Sequence, residues 1–213
     1  SWIDVDLGEH RLETLVEGLK PGEKLTASAV LAVLDGEGEA DAFVQMDMSG
    51  VMLDISDLPK AAGTGEAAVR LRREEQLVQQ GILLTALEEG DPLRLYLEEI
   101  ASVPVCGDIC VLAEELQRAN GAQREDPALW NKLLNLSLSR IVEIAQEYTG
   151  YGVLLLDLIQ EGSMSLWQFL PDYCGGDFEQ LRDCCIHNSM KKAVILQAHA
   201  NGVGQKMRQA IED

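Results

Sequence analysis

The sequence predicts an all-α protein in which a small helical N-terminal domain precedes a larger helical body. Three observations favour this fold class over one that contains a sheet. Apolar residues recur three and four positions apart over most of the 213-residue chain, glycines and prolines separate the apolar segments, and no strand-rich stretch follows residue 70. An apolar share of 46% is sufficient for a core, and the length allows one domain or a small one beside a medium one.

The N-terminal domain is predicted to contain three short helices and one strand. A turn with the sequence KPGEK ends the first helix, whose amphipathic stripe consists of Leu12, Leu15, Val16 and Leu19. Thr26 is a suitable N-cap for the second helix, and the third helix carries Phe43 and Met46 and ends at Gly50. A short extended strand is indicated by the alternation of Val51, Leu53 and Ile55.

This domain is also the most acidic part of the chain. Residues 1–69 carry 4 basic and 14 acidic side chains, a formal charge of −10 out of −19 for the whole chain. A segment rich in Ala and Gly, typical of a flexible linker, ends the domain. We therefore predict a mini-domain over 1–58, a linker over 59–69 and a helical body over 70–213. Because the body is acidic as well, we expect the mini-domain to stay mobile instead of docking against it.

The body is predicted as a succession of helices separated by Pro and Gly. Leu71, Leu77, Val78 and Ile82 form one side of a long first helix, and Asp91 with Pro92 supplies the N-cap and the first residue of the next. The predicted helical ranges, in chain order, are 66–90, 91–104, 108–119, 126–148, 154–170 and 178–198, with a last helix that stops at residue 213.

The net charge and the hydropathy pattern exclude several classes of protein. With 17 basic and 36 acidic residues, the chain has few of the Lys and Arg side chains on which extensive binding to nucleic-acid phosphates depends. No apolar run approaches the roughly 18 residues that a membrane span needs. The acidic N-terminus, SWIDVDLGEH, is also unlike a secretory signal peptide. We therefore expect a cytoplasmic protein with no membrane partner.

Five cysteines raise the question of a metal site. Cys106 and Cys110 are one helical turn apart, and a second group contains Cys174, Cys184, Cys185 and His187. Neither group has paired short-spacing ligands, and adjacent cysteines chelate one zinc ion poorly, so we predict reduced thiols buried in the core and no metal. No nucleophile with a histidine partner and no phosphate-binding glycine motif is present, so neither a cofactor nor an enzymatic activity is expected.

Two segments of the body and one of the N-terminal domain carry a family resemblance. Residues 135–170 read NLSLSRIVEIAQEYTGYGVLLLDLIQEGSMSLWQFL, residues 91–104 read DPLRLYLEEIASVP, and LETLVEGLKPGEKLTASAVLAVL with GVMLDI lies near the N-terminus. These segments resemble region 2, region 1.2 and, more weakly, the acidic autoinhibitory region 1.1 of bacterial RNA polymerase sigma factors of the primary, housekeeping type. The resemblance implies a helical bundle of regions 1.2 and 2 behind a small N-terminal domain.

The resemblance also implies a partner and a binding helix. Sigma factors of this type bind core RNA polymerase through the clamp coiled coil of its largest subunit and direct promoter recognition. The residues carried over to this contact are Leu156, Asp157, Gln160, Glu161, Ser163 and Trp167. Ser163 stands where the family has Asn, and Trp167 where it often has Met.

The DNA-melting part of the family pattern is degenerate in this chain. The family's Trp pair aligns with Cys184 and Cys185, and thiols cannot supply the stacking of about 1–3 kcal/mol per base that aromatic rings provide. Promoter DNA is therefore expected to bind weakly at most. The positions that would contact it are Tyr173, Phe178, Arg182, His187, Asn188, Lys191 and Lys192.

Three functions remain open from the sequence. The first is a transcription initiation factor that binds core polymerase and directs promoter recognition. The second is a degenerate sigma-like regulator that occupies core polymerase without opening promoters. The third is a non-catalytic helical interaction domain that does not bind polymerase.

Overall fold

A computed structural model describes residues 11–34, 39–46, 50–61, 65–81, 86–104 and 107–203. Within these segments the regular elements are helices apart from one parallel pair of three-residue strands, which confirms the predicted all-α class. In the same segments, no helix combines the length and the hydropathy required to cross a bilayer.

The N-terminal unit, defined as the described residues between 11 and 58, contributes its buried apolar side chains to the same core cluster as the body. Residues 11–17 are helical, and the elements that follow are β1 (Lys24–Thr26), α1 (Ala27–Val33), α2 (Glu39–Gln45) and β2 (Met52–Asp54). Thr26 accepts a hydrogen bond from the Ala29 N–H, which confirms it as the N-cap of α1. The strand predicted around Leu53 is β2, which lies parallel to β1 with Leu53 opposite Leu25. Both leucines are buried.

The body consists of six helices in the described residues. They are α3 (Glu66–Gln79), α4 (Pro92–Ser102), α5 (Ile109–Gly121), α6 (Pro127–Gln146), α7 (Leu155–Phe169) and α8 (Phe178–Ala200), with a 3₁₀ turn at Leu170–Asp172. Aspartate side chains accept a backbone N–H at the start of α4, α5, α6 and α8, which explains where these helices begin. The predicted N-cap at Asp91 is among them.

Three predicted boundaries differ from the structure by more than two residues. The helix that carries Phe43 and Met46 is predicted to end at Gly50, whereas α2 ends at Gln45. The helix predicted over 66–90 ends at Gln79, because Gly81 adopts a φ of 70°, a left-handed conformation that cannot continue an α-helix. The predicted linker extends to residue 69, yet α3 already begins at Glu66. The predicted linker is also bonded to the body, because the Ala61 N–H donates a hydrogen bond to the Gly150 carbonyl at 2.8 Å. The helix predicted to stop at residue 213 lies largely outside the described residues.

Helix α7 packs between α6 and α8, and its backbone at Gly162 lies close to side chains of both helices. Gly162 makes this possible, because a Cβ at this position would lie 2.7 Å from Met190 Cε and 3.0 Å from Ile141 Cγ2. Gly162, Met190 and Ile141 are all buried. The close approach fixes which side of α7 is turned to solvent.

The N-terminal unit is docked on α8, contrary to the expectation that it would remain mobile. Lys191 Nζ donates to the Leu53 carbonyl at 2.9 Å, and the Leu53 N–H donates to Asn188 Oδ1 at 3.2 Å. Lys192 Nζ donates to the Val44 carbonyl at 2.8 Å. The expected repulsion between acidic segments is avoided because lysines of α8 meet main-chain carbonyls at this contact.

Candidate functional site

The exposed face of α7 carries the polar residues of the predicted polymerase contact. Asp157, Gln160 and Glu161 are all exposed, and a spacing of three or four residues places them on one side of the helix. The opposite side is buried in the body and consists of Leu155, Leu158, Ile159, Gly162 and Leu166. The resulting surface is acidic and lies on a helix whose other side is packed in the body.

The other three predicted contact residues lie at the edges of this face and are half-buried. Leu156 packs against the core. Ser163 Oγ donates to the Ile159 carbonyl at 2.8 Å, so its hydroxyl is already bonded within the helix. Trp167 meets Trp130 edge to face, with ring centroids 5.6 Å apart.

Met164 belongs to the exposed face and was missed in the sequence interpretation. Its side chain is 53% exposed, a large value for an apolar residue. It follows Glu161 by three residues and Asp157 by seven, so helical periodicity alone would have placed it on the same face. An exposed thioether beside two carboxylates adds a flexible apolar contact to an otherwise polar surface.

The start of α7 is held by a residue from another helix. Leu154 occupies the N-cap position and has no side-chain acceptor. Instead, Glu74 of α3 accepts the Leu155 N–H through Oε2 at 2.9 Å. Glu74 is almost completely buried, and burial raises its pKa, although the Leu155 N–H and Arg70 both act to lower it.

Arg70 connects Glu74 to the start of α4. Its Nε lies 3.0 Å from Glu74 Oε1, and its two terminal nitrogens donate to Asp91 at 2.6 Å and 3.0 Å. These bonds from Arg70 are the main reason that the pKa of Asp91 is lowered. Asp91 in turn accepts the Leu93 N–H at 2.9 Å. One guanidinium therefore links the carboxylates that cap α4 and α7.

The loop before α7 is also held by contacts with Lys60 and Glu75. Lys60 Nζ donates to the Thr149 carbonyl at 3.0 Å, approaches Glu75 at 3.4 Å and lies 4.3 Å from the centre of the Tyr151 ring. Gly150 has a φ of 90°, and a Cβ there would lie 2.7 Å from the Glu75 carboxylate. A side chain at residue 150 would therefore be strained by this φ and would also displace the Glu75 carboxylate.

The residues predicted to contact DNA are engaged within the chain. Tyr173, Phe178 and Arg182 are buried. The Tyr173 hydroxyl donates to the Gly176 carbonyl at 2.7 Å, its ring meets that of Phe178 at 5.3 Å, and Arg182 pairs with Asp183 at 3.0 Å. These three side chains stabilise the body in this conformation, and none of them presents a free surface to a nucleic acid.

The other four predicted DNA contacts lie further along α8. Asn188, Lys191 and Lys192 form the bonds to the N-terminal unit described above. His187 is half-buried, with its Nδ1 2.6 Å from the Tyr148 hydroxyl, and burial lowers its pKa although Glu147 acts in the opposite direction. Contact with DNA at these positions would first require the N-terminal unit to leave α8.

The prediction of buried thiols is wrong for most of the described cysteines. Three of them are exposed: Cys110 in the first turn of α5, Cys174 in the loop before α8, and Cys184 on the solvent side of α8. Cys185 is half-buried beside Ser165, and burial raises its pKa. Cys106 lies outside the described residues. The described residues contain no cluster of three or more His, Cys, Asp or Glu side chains suited to a metal ion.

The fold and this surface define a helical protein with an exposed acidic face on one well-packed helix. Comparison with curated proteins gives a match to the RNA polymerase sigma factor SigA of Clostridium acetobutylicum, at 41% identity over 111 residues. The match covers 51% of this chain and 28% of that sigma factor, so the aligned part spans little more than a quarter of the relative. It supports a relationship to sigma factors. No family model and no solved structure matches the chain.

Proposed function

We propose that this chain is a sigma-like transcription factor that binds the clamp coiled coil of core RNA polymerase through the exposed face of α7. The observation that carries the proposal is the acidic stripe of Asp157, Gln160 and Glu161, exposed on a helix whose other side is packed in the body. The similarity to a primary sigma factor supports the choice of polymerase as partner.

The chemistry of this face suits a basic protein partner. Asp157 and Glu161 are one helical turn apart, so two carboxylates can accept charge-assisted hydrogen bonds from Arg or Lys on one partner helix. Leu156, Met164 and Trp167 would supply apolar contacts at the edges of the carboxylate pair. Apolar and aromatic anchors of this kind usually contribute most of the binding energy of an interface.

A regulator that occupies polymerase without opening promoters is the second candidate. Two observations favour it over a complete initiation factor. Cys184 and Cys185 stand where the family has its Trp pair, and the predicted DNA contacts are buried or bonded within the chain. On this proposal the N-terminal unit covers α8.

Charge reversal on α7 tests the proposed surface. Asp157→Arg and Glu161→Lys each place a positive charge against a basic partner, where close like charges cost several kcal/mol, so binding to core polymerase should fall by at least about a hundredfold. Glu115→Lys, an equal charge change at an exposed position of α5, is the matched control and should bind normally. Binding is measured by biolayer interferometry, and circular dichroism checks that helicity is retained.

This binding assay and a permanganate footprint together separate the three functions. If both α7 variants bind as tightly as the unmodified chain, the proposed surface is wrong. If the unmodified chain does not bind core polymerase at all, the chain is a helical interaction domain with another partner. If it binds but does not open a promoter in a permanganate footprint, it is the regulator.

A further inference from the structure

Helix α7 differs from most helices of the body in how it begins. The first four N–H groups of a helix lack partners within it, and a Ser, Thr, Asp or Asn at the N-cap usually accepts one of them. Asp side chains do so at the starts of α4, α5, α6 and α8. At α7 the N-cap is Leu154, and the acceptor of the Leu155 N–H is Glu74, which lies 81 residues before Leu155 in the chain.

Glu74 is held firmly enough to act as a fixed acceptor. It is only 3% exposed, and its second carboxylate oxygen is bonded to Arg70. Arg70 is itself anchored by two bonds to Asp91 at the start of α4. The start of α7 is therefore tied to α3 and α4.

We propose that Glu74 is a positioning residue for the polymerase-binding face, capping α7 from α3 and thereby ordering the first turn that carries Asp157. This inference rests on the proposed function. Asp157 is the third residue of α7 and lies in the turn that the Leu155 N–H begins, whereas Glu161 lies more than a turn further on. Loss of the cap should therefore disturb Asp157 strongly and Glu161 little.

The first test is hydrogen exchange of the free full-length chain. Glu74→Ala should increase exchange of the amides at 155–158 by about fivefold, the size expected for a lost N-cap. Glu74→Gln keeps a side-chain oxygen that can accept the Leu155 N–H and should restore part of the protection. Glu75→Ala is the matched control, because Glu75 contacts Lys60 and the loop before α7 but does not cap α7.

The second test is a pair of mutant cycles in polymerase binding. Glu74→Ala should weaken binding severalfold in the unmodified chain and in a Glu161→Ala background. In an Asp157→Ala background it should have no further effect, because the group that it positions is absent. A general loss of stability would weaken binding equally in both backgrounds.

The outcomes distinguish this inference from the proposed function. Unchanged exchange at 155–158 in Glu74→Ala, or an equal increase in every helix, overturns the positioning role. Equal effects of Glu74→Ala in both backgrounds overturn it as well. Increased exchange confined to 155–158, together with polymerase binding that Asp157→Arg does not affect, overturns the proposed function and leaves the cap in place.

Discussion

Replacing Gly162 by Ala tests how closely α7 is packed in the body. The added Cβ would lie 2.7 Å from Met190 Cε, 3.0 Å from Ile141 Cγ2 and 3.3 Å from Ile186 Cγ2. These three neighbours are fully buried, so none can move aside into solvent. Overpacking a core costs about 1–3 kcal/mol, and the better helix propensity of Ala returns about 1 kcal/mol. We therefore expect a net loss of about 1 kcal/mol in the free energy of unfolding.

Urea unfolding followed by circular dichroism measures this loss. Gly121→Ala is the matched control, since Gly121 is the last residue of α5 and an added Cβ there would have no neighbour within 4 Å. Gly162→Ala should lower the urea midpoint at an unchanged m-value, whereas Gly121→Ala should leave the midpoint unchanged or raise it. A midpoint for Gly162→Ala at or above that of the unmodified chain would refute the packing argument.

Three further predictions concern α8. Burial lowers the pKa of His187 below 6.5, so the folded chain binds fewer protons than the unfolded chain as the pH falls below this value. The free energy of unfolding should therefore decrease as the pH falls from 6.5 through the folded-state pKa of His187. His187→Gln should remove this part of the pH dependence in urea titrations, and an unaltered slope would contradict it. Lys191→Met removes the donor to Leu53 and should speed hydrogen exchange in the N-terminal unit but not in α7; equal exchange in both would argue against the docking contact. In fluorescence anisotropy, single-stranded DNA should bind more weakly than about 10⁻⁴ M at physiological salt, and micromolar binding would contradict this.

Local signals in the sequence were sufficient for most helix starts but not for all ends. Thr26 and Asp91 act as N-caps as predicted, because a capping side chain bonds to a backbone N–H only two or three residues away. The end of α3 was missed, because the predicted apolar stripe continues past Gly81. The periodicity of apolar residues does not reveal that Gly81 adopts a left-handed conformation. The docking of the N-terminal unit was missed because summed charges do not register Lys191 bonding to a neutral carbonyl.

The candidate site shows the same division between local and distant contacts. The exposed stripe of Asp157, Gln160 and Glu161 could be predicted, because residues on one helix face are set by their spacing. The burial of Arg182 could not be predicted, because it depends on a neighbour from a different helix. Ser137 of α6 has its Oγ 3.4 Å from a terminal nitrogen of Arg182 on α8. The capping of α7 by Glu74 is likewise a contact between distant segments, for which no short-range pattern exists.

The docking of the N-terminal unit on α8 also sets an order of events during synthesis. Hydrogen bonds at this contact join residues separated by 135 to 148 positions in the chain. At about 5–20 residues per second, a ribosome needs roughly 7–30 s to add the residues between the two sides. Throughout that interval the unit exists without the helix that covers it, so its final closure follows the appearance of Lys192. A ribosome stalled before residue 188 would therefore hold a nascent N-terminal unit whose α8-binding side is still open to chaperones.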